Sequence, residues 1–375
     1  MKVTGIETHY AAAQGRPWIL IKVMTDEGIY GWGEATLEGK ERAVIAAVGE
    51  LARYLEGKDA SRIEQHWHEM YRGAFWVGGP VLNTAISAVD HALWDIKGKA
   101  LGVPVYELLG GKCRDRIRAY ANGWSRGAQS PEEFAERALE VVAMGYTAIK
   151  WDPFKQAGLF IDTETANAAV ANVRAVREAV GPNVDLCIEV HGRLSPANAI
   201  RVGKRLEEFN PFFYEEPIPP ENMDSLALVA RAVNIPIATG ERLFTKWGFK
   251  DLFERQAAAI IQPDICHAGG ILELKKIAAM AETYYIGFAP HNPNGPICTA
   301  ASIQVDAATP NFLIQEFVIS DEPLRSQLQQ EPYKVVDGHF EIPNRPGLGV
   351  EINEEYLDRD DLVARDMYSM IQPKM

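Results

Sequence analysis

Residues 185–191 read DLCIEVH, residues 212–217 FFYEEP and residues 236–241 PIATGE. Each is a short apolar run closed by a glutamate, and Glu189, Glu215 and Glu241 recur 26 residues apart. A strand of about five residues, a returning helix and two loops occupy roughly that length, so the repeat puts one carboxylate at the same end of three successive parallel strands. Three carboxylates facing one another repel unless positive charge sits between them. A divalent, oxygen-preferring cation meets that need, which points to a metal-dependent enzyme.

Five similar runs extend the pattern: IRAYANGW (117–124), TAIKWD (147–152), AAIIQPD (258–264), YIGFAPH (285–291) and FLIQE (312–316). Segments of helical period separate the runs. Ser130-Pro131-Glu132-Glu133 and Ser195-Pro196 supply helix-start signals there. Eight alternating βα units make an α/β protein with a closed barrel. An open doubly wound sheet fits less well, because no GxGxxG follows the first strand. Residues 1–114 read instead as an α+β domain, with antiparallel strands followed by helices over 41–55 and 80–101. The segment 335–375 is expected to pack back on it, which leaves 115–334 as the barrel.

The 375 residues are 47% apolar and 24% charged, as in an ordinary soluble globular protein, and carry a net charge of −13. With no basic run to neutralise phosphates, a general nucleic-acid partner is excluded. Cys113, Cys187, Cys266 and Cys298 form no CxxC pair and suit a reducing compartment. The first residues lack the apolar core of a signal peptide, and no run of eighteen apolar residues suggests a membrane partner. A cytoplasmic location is expected.

Residues two apart on a strand share a face, which pairs Glu189 with His191, Lys150 with Asp152 and Gln262 with Asp264. His291 and Glu316 close the last two runs. One strand-end carboxylate alone is usually a helix cap or an ion-pair partner. Seven ionisable ends in register at the rim where barrel enzymes keep their sites are better read as one site.

In order along the chain, EVHGR (189–193), YEEP (214–217), ATGER (238–242), QPD (262–264), PHNPNGP (290–296) and IQE (314–316) resemble the enolase superfamily in its mandelate racemase/muconate lactonizing enzyme branch. Residues 77–111 and RPGLGVEIN (345–353) resemble that family's capping-domain helix and closing segment, so the likeness spans essentially the whole chain. RIRAYANGW, AIKWDPF and CIEVHGR are most similar to sugar-acid dehydratases acting on aldonates such as gluconate and galactonate.

The resemblance implies a modified TIM barrel, (β/α)7β, with the α+β capping domain formed by the amino-terminal region and the carboxy-terminal tail. It implies Mg2+ on Glu189, Glu215 and Glu241, although the family often has Asp at the first position. It makes His291 the base for the proton α to a carboxylate, with Asp264 orienting its imidazole, and His191 the acid for the departing 3-hydroxyl. Glu316 is expected at the substrate carboxylate and Lys150 beside it. Racemases of the branch commonly carry K-x-K where this chain has Lys150-Trp151-Asp152, so Asp152 removes a second base and joins the substrate-contacting set. Loop position adds Arg16, Trp18, Phe75 and Trp76 to that set, with a subunit interface as their other use. The expected activity is dehydration of a small sugar acid through an enediolate to a 2-keto-3-deoxy acid, by a homo-oligomer that could be an octamer. Epimerisation or cycloisomerisation, and a catalytically silent barrel, are the competing expectations.

Overall fold

Eight short strands close into a ring in a computed structural model that describes residues 1–13, 16–154 and 157–357; the side chains of residues 12, 13 and 16 also lie outside the description. Ahead of the ring come β1 (Val3–Ala13), β2 (Arg16–Thr25) and β3 (Tyr30–Glu34), an antiparallel sheet in the order β1-β2-β3. Helices α1 (Glu41–Leu55), α2 (Ile63–Arg72), α3 (Pro80–Leu101) and α4 (Val105–Leu108) follow.

The barrel then alternates β4 (Arg116–Asn122), α5 (Pro131–Ala143), β5 (Ala148–Trp151), α6 (Thr163–Val180), β6 (Asp185–Glu189), α7 (Pro196–Leu206), β7 (Phe213–Glu215) and α8 (Met223–Ala232). It continues with β8 (Ile237–Thr239), α9 (Thr245–Arg255), β9 (Ile260–Ile261), α10 (Ile271–Glu282), β10 (Gly287–Phe288), α11 (Pro296–Ala307) and β11 (Gln315–Val318). Neighbours run in the order β10-β9-β8-β7-β6-β5-β4, and β11 pairs in parallel with β4. The ring closes where Phe288 N donates to Asn311 O at 2.9 Å and Leu313 N to Phe288 O at 2.8 Å. Seven helices between eight strands give the (β/α)7β form of the fold.

Tyr120, Ala148, Cys187, Phe213, Ala238, Ile260, Ala289 and Ile314, one from each strand run, form an apolar cluster of their own that floors the ring. Two residues further along each run, on the same face, stand Asn122, Lys150, Glu189, Glu215, Gly240, Gln262, His291 and Glu316. The period-two rule therefore sets a polar layer directly on the apolar floor.

The amino-terminal domain is bonded to the loops that carry this layer. Trp67 Nε1 donates to Gly269 O at 2.7 Å. Gly269 N donates to Ser87 Oγ at 3.0 Å, and Ile271 N, at the start of α10, to Asp90 Oδ2 at 2.6 Å. Glu34, fully buried, accepts from Gly295 N at 2.6 Å and Cys298 N at 2.8 Å and so caps the first turn of α11. Every residue of α11 is buried, which an amphipathic surface helix would not allow; it lies between ring and cap.

The tail divides its contacts. After α12 (Glu322–Gln327), β12 (Val335–Val336) and β13 (His339–Glu341) form a hairpin that pairs with the first half of β4, on the barrel. Beyond it Leu348 N donates to Asp95 Oδ1 at 2.8 Å, and Lys22 meets Glu354 at 2.7 Å, on the cap. Residues 358–375 of the expected tail lie outside the described residues. Among the described residues, no helix is long and apolar enough to cross a membrane.

Candidate active site

Glu189, Glu215 and Glu241 stand on β6, β7 and the turn after β8, and each offers an oxygen within 4.8 Å of the others. Glu189 and Glu215 are buried. Glu189 bends back on the chain, so that its Oε1 accepts from Val190 N at 2.9 Å and His191 N at 2.6 Å. Its Oε2 faces the cluster, 3.4 Å from Lys150 Nζ. Glu189 Oε2 and Glu215 Oε2 are buried without a hydrogen-bond partner among the described residues. Burial, then repulsion from Glu189, pushes the Glu215 carboxyl up to about 8. Orphaned, mutually repelling oxygens are the donor set of a hard divalent cation, so these residues fit Mg2+. Asp264, Cys266 and Cys298 also lie within 4.8 Å of one another, but Asp264 is already engaged on both oxygens.

Lys150 rises from the floor into the cluster, buried, with Nζ 2.8 Å from Glu215 Oε1, 3.0 Å from Glu316 Oε1 and 3.4 Å from Glu189 Oε2. Burial disfavours its ammonium form, but Glu215 and Glu316 outweigh that and hold it charged. Burial would likewise raise Glu316, yet Lys150 and His291 pull it down to about 2. Asn122 Nδ2 at 2.7 Å and Asn292 N at 2.8 Å complete its partners. Glu316 is thus an acceptor held among donors, with Lys150 beside it.

Two histidine–aspartate pairs flank the carboxylates. His291 Nδ1 lies 2.8 Å from Asp264 Oδ2, and its Nε2 lies 3.2 Å from Glu241 Oε2. Burial works against the imidazolium, while Glu241 and the Asp264 hydrogen bond overcome it and bring His291 to about 10. Asp264 also accepts from Cys266 N at 2.7 Å and Asn294 Nδ2 at 3.1 Å, so its orientation is fixed from the backbone. On the other side His191 Nδ1 lies 2.8 Å from Asp152 Oδ2. β6 and β10 are four places apart round a ring of eight, so the two imidazoles stand on opposite walls. Lys150, Glu189, Glu241, His191, His291 and Glu316 all line one cavity of about 850 Å3 at this rim.

Other expected residues are placed differently. Asp152 was grouped with the substrate-contacting residues, but its oxygens are taken by His191, Arg193 and the amide of Phe154, and it does not line the cavity. Trp18 was expected on a loop; instead it sits in β2 opposite Ala11, fully buried under Arg325, because the first hairpin continues through it. Phe75 and Trp76 are 90% and 83% exposed and pack edge to face on each other, away from the cavity wall. The side chain of Arg16 lies outside the described residues. Glu216, next to Glu215 in the chain, pairs with Arg242.

Among the described residues, the cap's contribution to the cavity is Leu37, Glu38 and Pro80. Nothing in their sequence context marks them, since loop conformation decides. Asn122 had a usable signal, its place in the same period-two register as Lys150.

Residues 2–110 match the family model for the mandelate racemase/muconate lactonizing enzyme N-terminal domain, and residues 133–356 match the enolase C-terminal domain-like family. A D-galactonate dehydratase of Xanthomonas euvesicatoria pv. vesicatoria (strain 85-10) is 43% identical over 365 residues, covering 96% of this chain and 94% of its own. The protein of the same name from Pectobacterium atrosepticum is 43% identical over 361 residues, 95% of this chain and 93% of its own. The solved structure of a member of the enolase superfamily from Salmonella Typhimurium superposes with a TM-score of 0.91 at 37% identity, covering 95% of this chain and 97% of its own. A mandelate racemase/muconate lactonizing enzyme-like protein from Roseovarius sp. TM1035 gives 0.90 at 39% identity, covering 95% and 94%.

Proposed function

The chain belongs to the mandelate racemase/muconate lactonizing enzyme family of the enolase superfamily, and from that premise we propose that it is a Mg2+-dependent sugar-acid dehydratase converting an aldonate such as galactonate or gluconate into a 2-keto-3-deoxy acid. The observation that carries the reading is the pair of histidine–aspartate dyads on opposite walls of a three-carboxylate cluster. The relatives named D-galactonate dehydratase support the substrate class.

Glu189, Glu215 and Glu241 would hold the ion. Mg2+ bound there supplies positive charge against which the substrate carboxylate gathers the electrons released from C2. An ion held by Glu241 would offset the charge that raises His291, and the neutral imidazole would then remove the C2 proton through Nε2, with Asp264 on Nδ1 fixing the ring and stabilising the imidazolium that forms. His191 then gives a proton to the 3-hydroxyl as the C3–O bond breaks, so the departing group is water and the remaining enol rearranges to the 2-keto acid. Base and acid on facing walls make the elimination anti. Glu316, kept ionised by Lys150, accepts from a substrate hydroxyl, and Lys150 keeps the carboxylates from repelling one another apart. Asp152 leaves the acid's side of the site without a second base, which favours elimination over epimerisation.

Incubation with Mg2+ and a panel of C5 and C6 aldonates is expected to yield a semicarbazide-reactive keto acid from at least one. Solvent deuterium entering C2 with the 3-hydroxyl retained would replace the reading by epimerisation. No reaction with any member of a stereochemically complete panel would remove it.

A further inference from the structure

We infer that Asp152 and Arg193 form a positioning unit that aims the ring of His191 into the cavity, so that they govern the elimination half of the reaction and leave proton removal at C2 untouched. The inference rests on the dehydratase reading and extends it to two residues that touch neither the metal-ligand cluster nor the cavity.

His191 needs such a unit more than His291 does. Its side chain is 55% exposed, whereas His291, at 17%, is packed on most sides. An exposed imidazole at the mouth of a barrel has several rotamers open to it, and only one presents Nε2 to a substrate. The backbone under it is also held in the left-handed region, at φ +54°, an uncommon place for a side chain of this size. Glu189 Oε1 fixes that backbone by accepting from Val190 N and His191 N. The ring itself is fixed from the neighbouring strand, by Asp152 Oδ2 at 2.8 Å from Nδ1.

Asp152 is in turn set from two directions. Its Oδ1 accepts from Phe154 N at 2.8 Å, which ties the carboxylate to its own loop. Its Oδ2 is shared with Arg193 Nη2, and Arg193 Nε donates to Val190 O at 2.9 Å, the carbonyl just before His191. Arg193 therefore links the aspartate to the turn that carries the histidine. The result is a closed loop of contacts, Asp152 to His191 to the Val190 carbonyl to Arg193 and back to Asp152. Only one nitrogen of His191, Nε2, is left without a protein partner among the described residues, and the residue lines the cavity. The other dyad is backed differently: Asp264 Oδ2 is steadied by the amide of Asn294 at 3.1 Å and lies 3.7 Å from His267 Nε2, with no guanidinium against it among the described residues. The two dyads share a 2.8 Å Nδ1–Oδ2 contact but are braced by different chemistry.

The test uses the intact protein with Mg2+ and two probes. One is whichever aldonate the wild type dehydrates. The other is its 3-deoxy analogue, which can exchange its C2 proton with solvent deuterium but has no 3-hydroxyl to lose. Asp152→Asn is expected to lower the dehydration kcat about 10- to 100-fold with KM little changed, while C2 exchange in the analogue and Mg2+ affinity stay at the wild-type level. Arg193→Met is expected to follow the same pattern more weakly, with Arg193→Lys recovering part of the loss. Unchanged dehydration in Asp152→Asn overturns the inference, and so does a parallel loss of dehydration and exchange, which would make Asp152 a general support of the site. If Asp152→Asn does not fold, Arg193→Met alone decides by the same comparison. Failure of the wild type to dehydrate any aldonate instead overturns the function from which the inference starts, and that is seen before any variant is made.

Discussion

At the scale of single residues, one ammonium group organises the site. Lys150 brings a single positive charge within 3.4 Å of three buried carboxylates, and desolvation would make that arrangement untenable without it. Replacing it by methionine leaves Glu215 and Glu316 buried without their counter-charge. Lys150→Met is therefore expected to lose about 3–5 kcal/mol in denaturant unfolding without added metal, and to regain part of it when Mg2+ is titrated in; an unchanged midpoint would show that the carboxylates are neutral instead. Glu215→Gln is expected to weaken Mg2+ binding by at least about 100-fold in calorimetric titration, a first ligand weighing more than the outer partners for which 10- to 100-fold is usual. Lys150, Glu189 and Glu215 were legible in the sequence because their strands alternate strictly and the apolar floor two residues earlier fixes the register, and Glu241, one place beyond that register, was legible from the 26-residue repeat. Asp152 was not. It lies one residue past the end of β5, where alternation stops governing direction, and a hydrogen bond across to β6 decides where it faces.

At the scale of elements, start signals were legible where a side chain has nothing else to bond. Ser130 accepts from Glu133 N at 3.3 Å, as its capping motif implies. Ser195 has the same serine–proline pairing but makes no such bond, and its hydroxyl accepts from Asn198 Nδ2 instead. Helix α2 carried a readable stripe, Ile63, His66, Trp67, Met70 and Tyr71, at helical spacing. Its polar-looking composition hid it. The start of α11 depends on a residue 261 positions away in sequence, Glu34, and no local pattern could announce that. A methyl group at Gly295 would come within 2.8 and 3.0 Å of the Glu34 oxygens and 3.0 Å of the Trp18 ring, with the backbone at an ordinary φ of −84°. Gly295→Ala is thus expected to cost about 1–3 kcal/mol through crowding alone, measured by thermal or chemical melts. A neutral result would mean that Glu34 moves freely.

For the whole molecule, the βα rhythm and the closed ring could be read from the chain, since each strand run ends in the same kind of residue and each spacing fits one helix. How the cap meets the ring could not, because it depends on which buried groups find one another across two hundred residues. Those meetings are specific. Ser87 and Asp90 bond the loop that follows Asp264, and Glu34 bonds the helix that follows His291. Expressed alone, residues 115–357 would expose the face of α11 that the cap covers and leave two helix starts uncapped, so they are expected to be recovered as aggregates; a monodisperse, cooperatively melting product would contradict this. The same contacts bear on how such proteins can be recombined. A laboratory chimera that joins this amino-terminal domain to the barrel of a relative would exchange the part that brings Leu37, Glu38 and Pro80 to the cavity, yet it would inherit a mismatched seam beneath both His291 and Asp264. Glu34 with Gly295, and Asp90 with the start of α10, should travel together as one heritable unit, so an exchange at the cavity belongs to a short segment with both ends inside the loop around Leu37 and Glu38, and not at the boundary between the two domains.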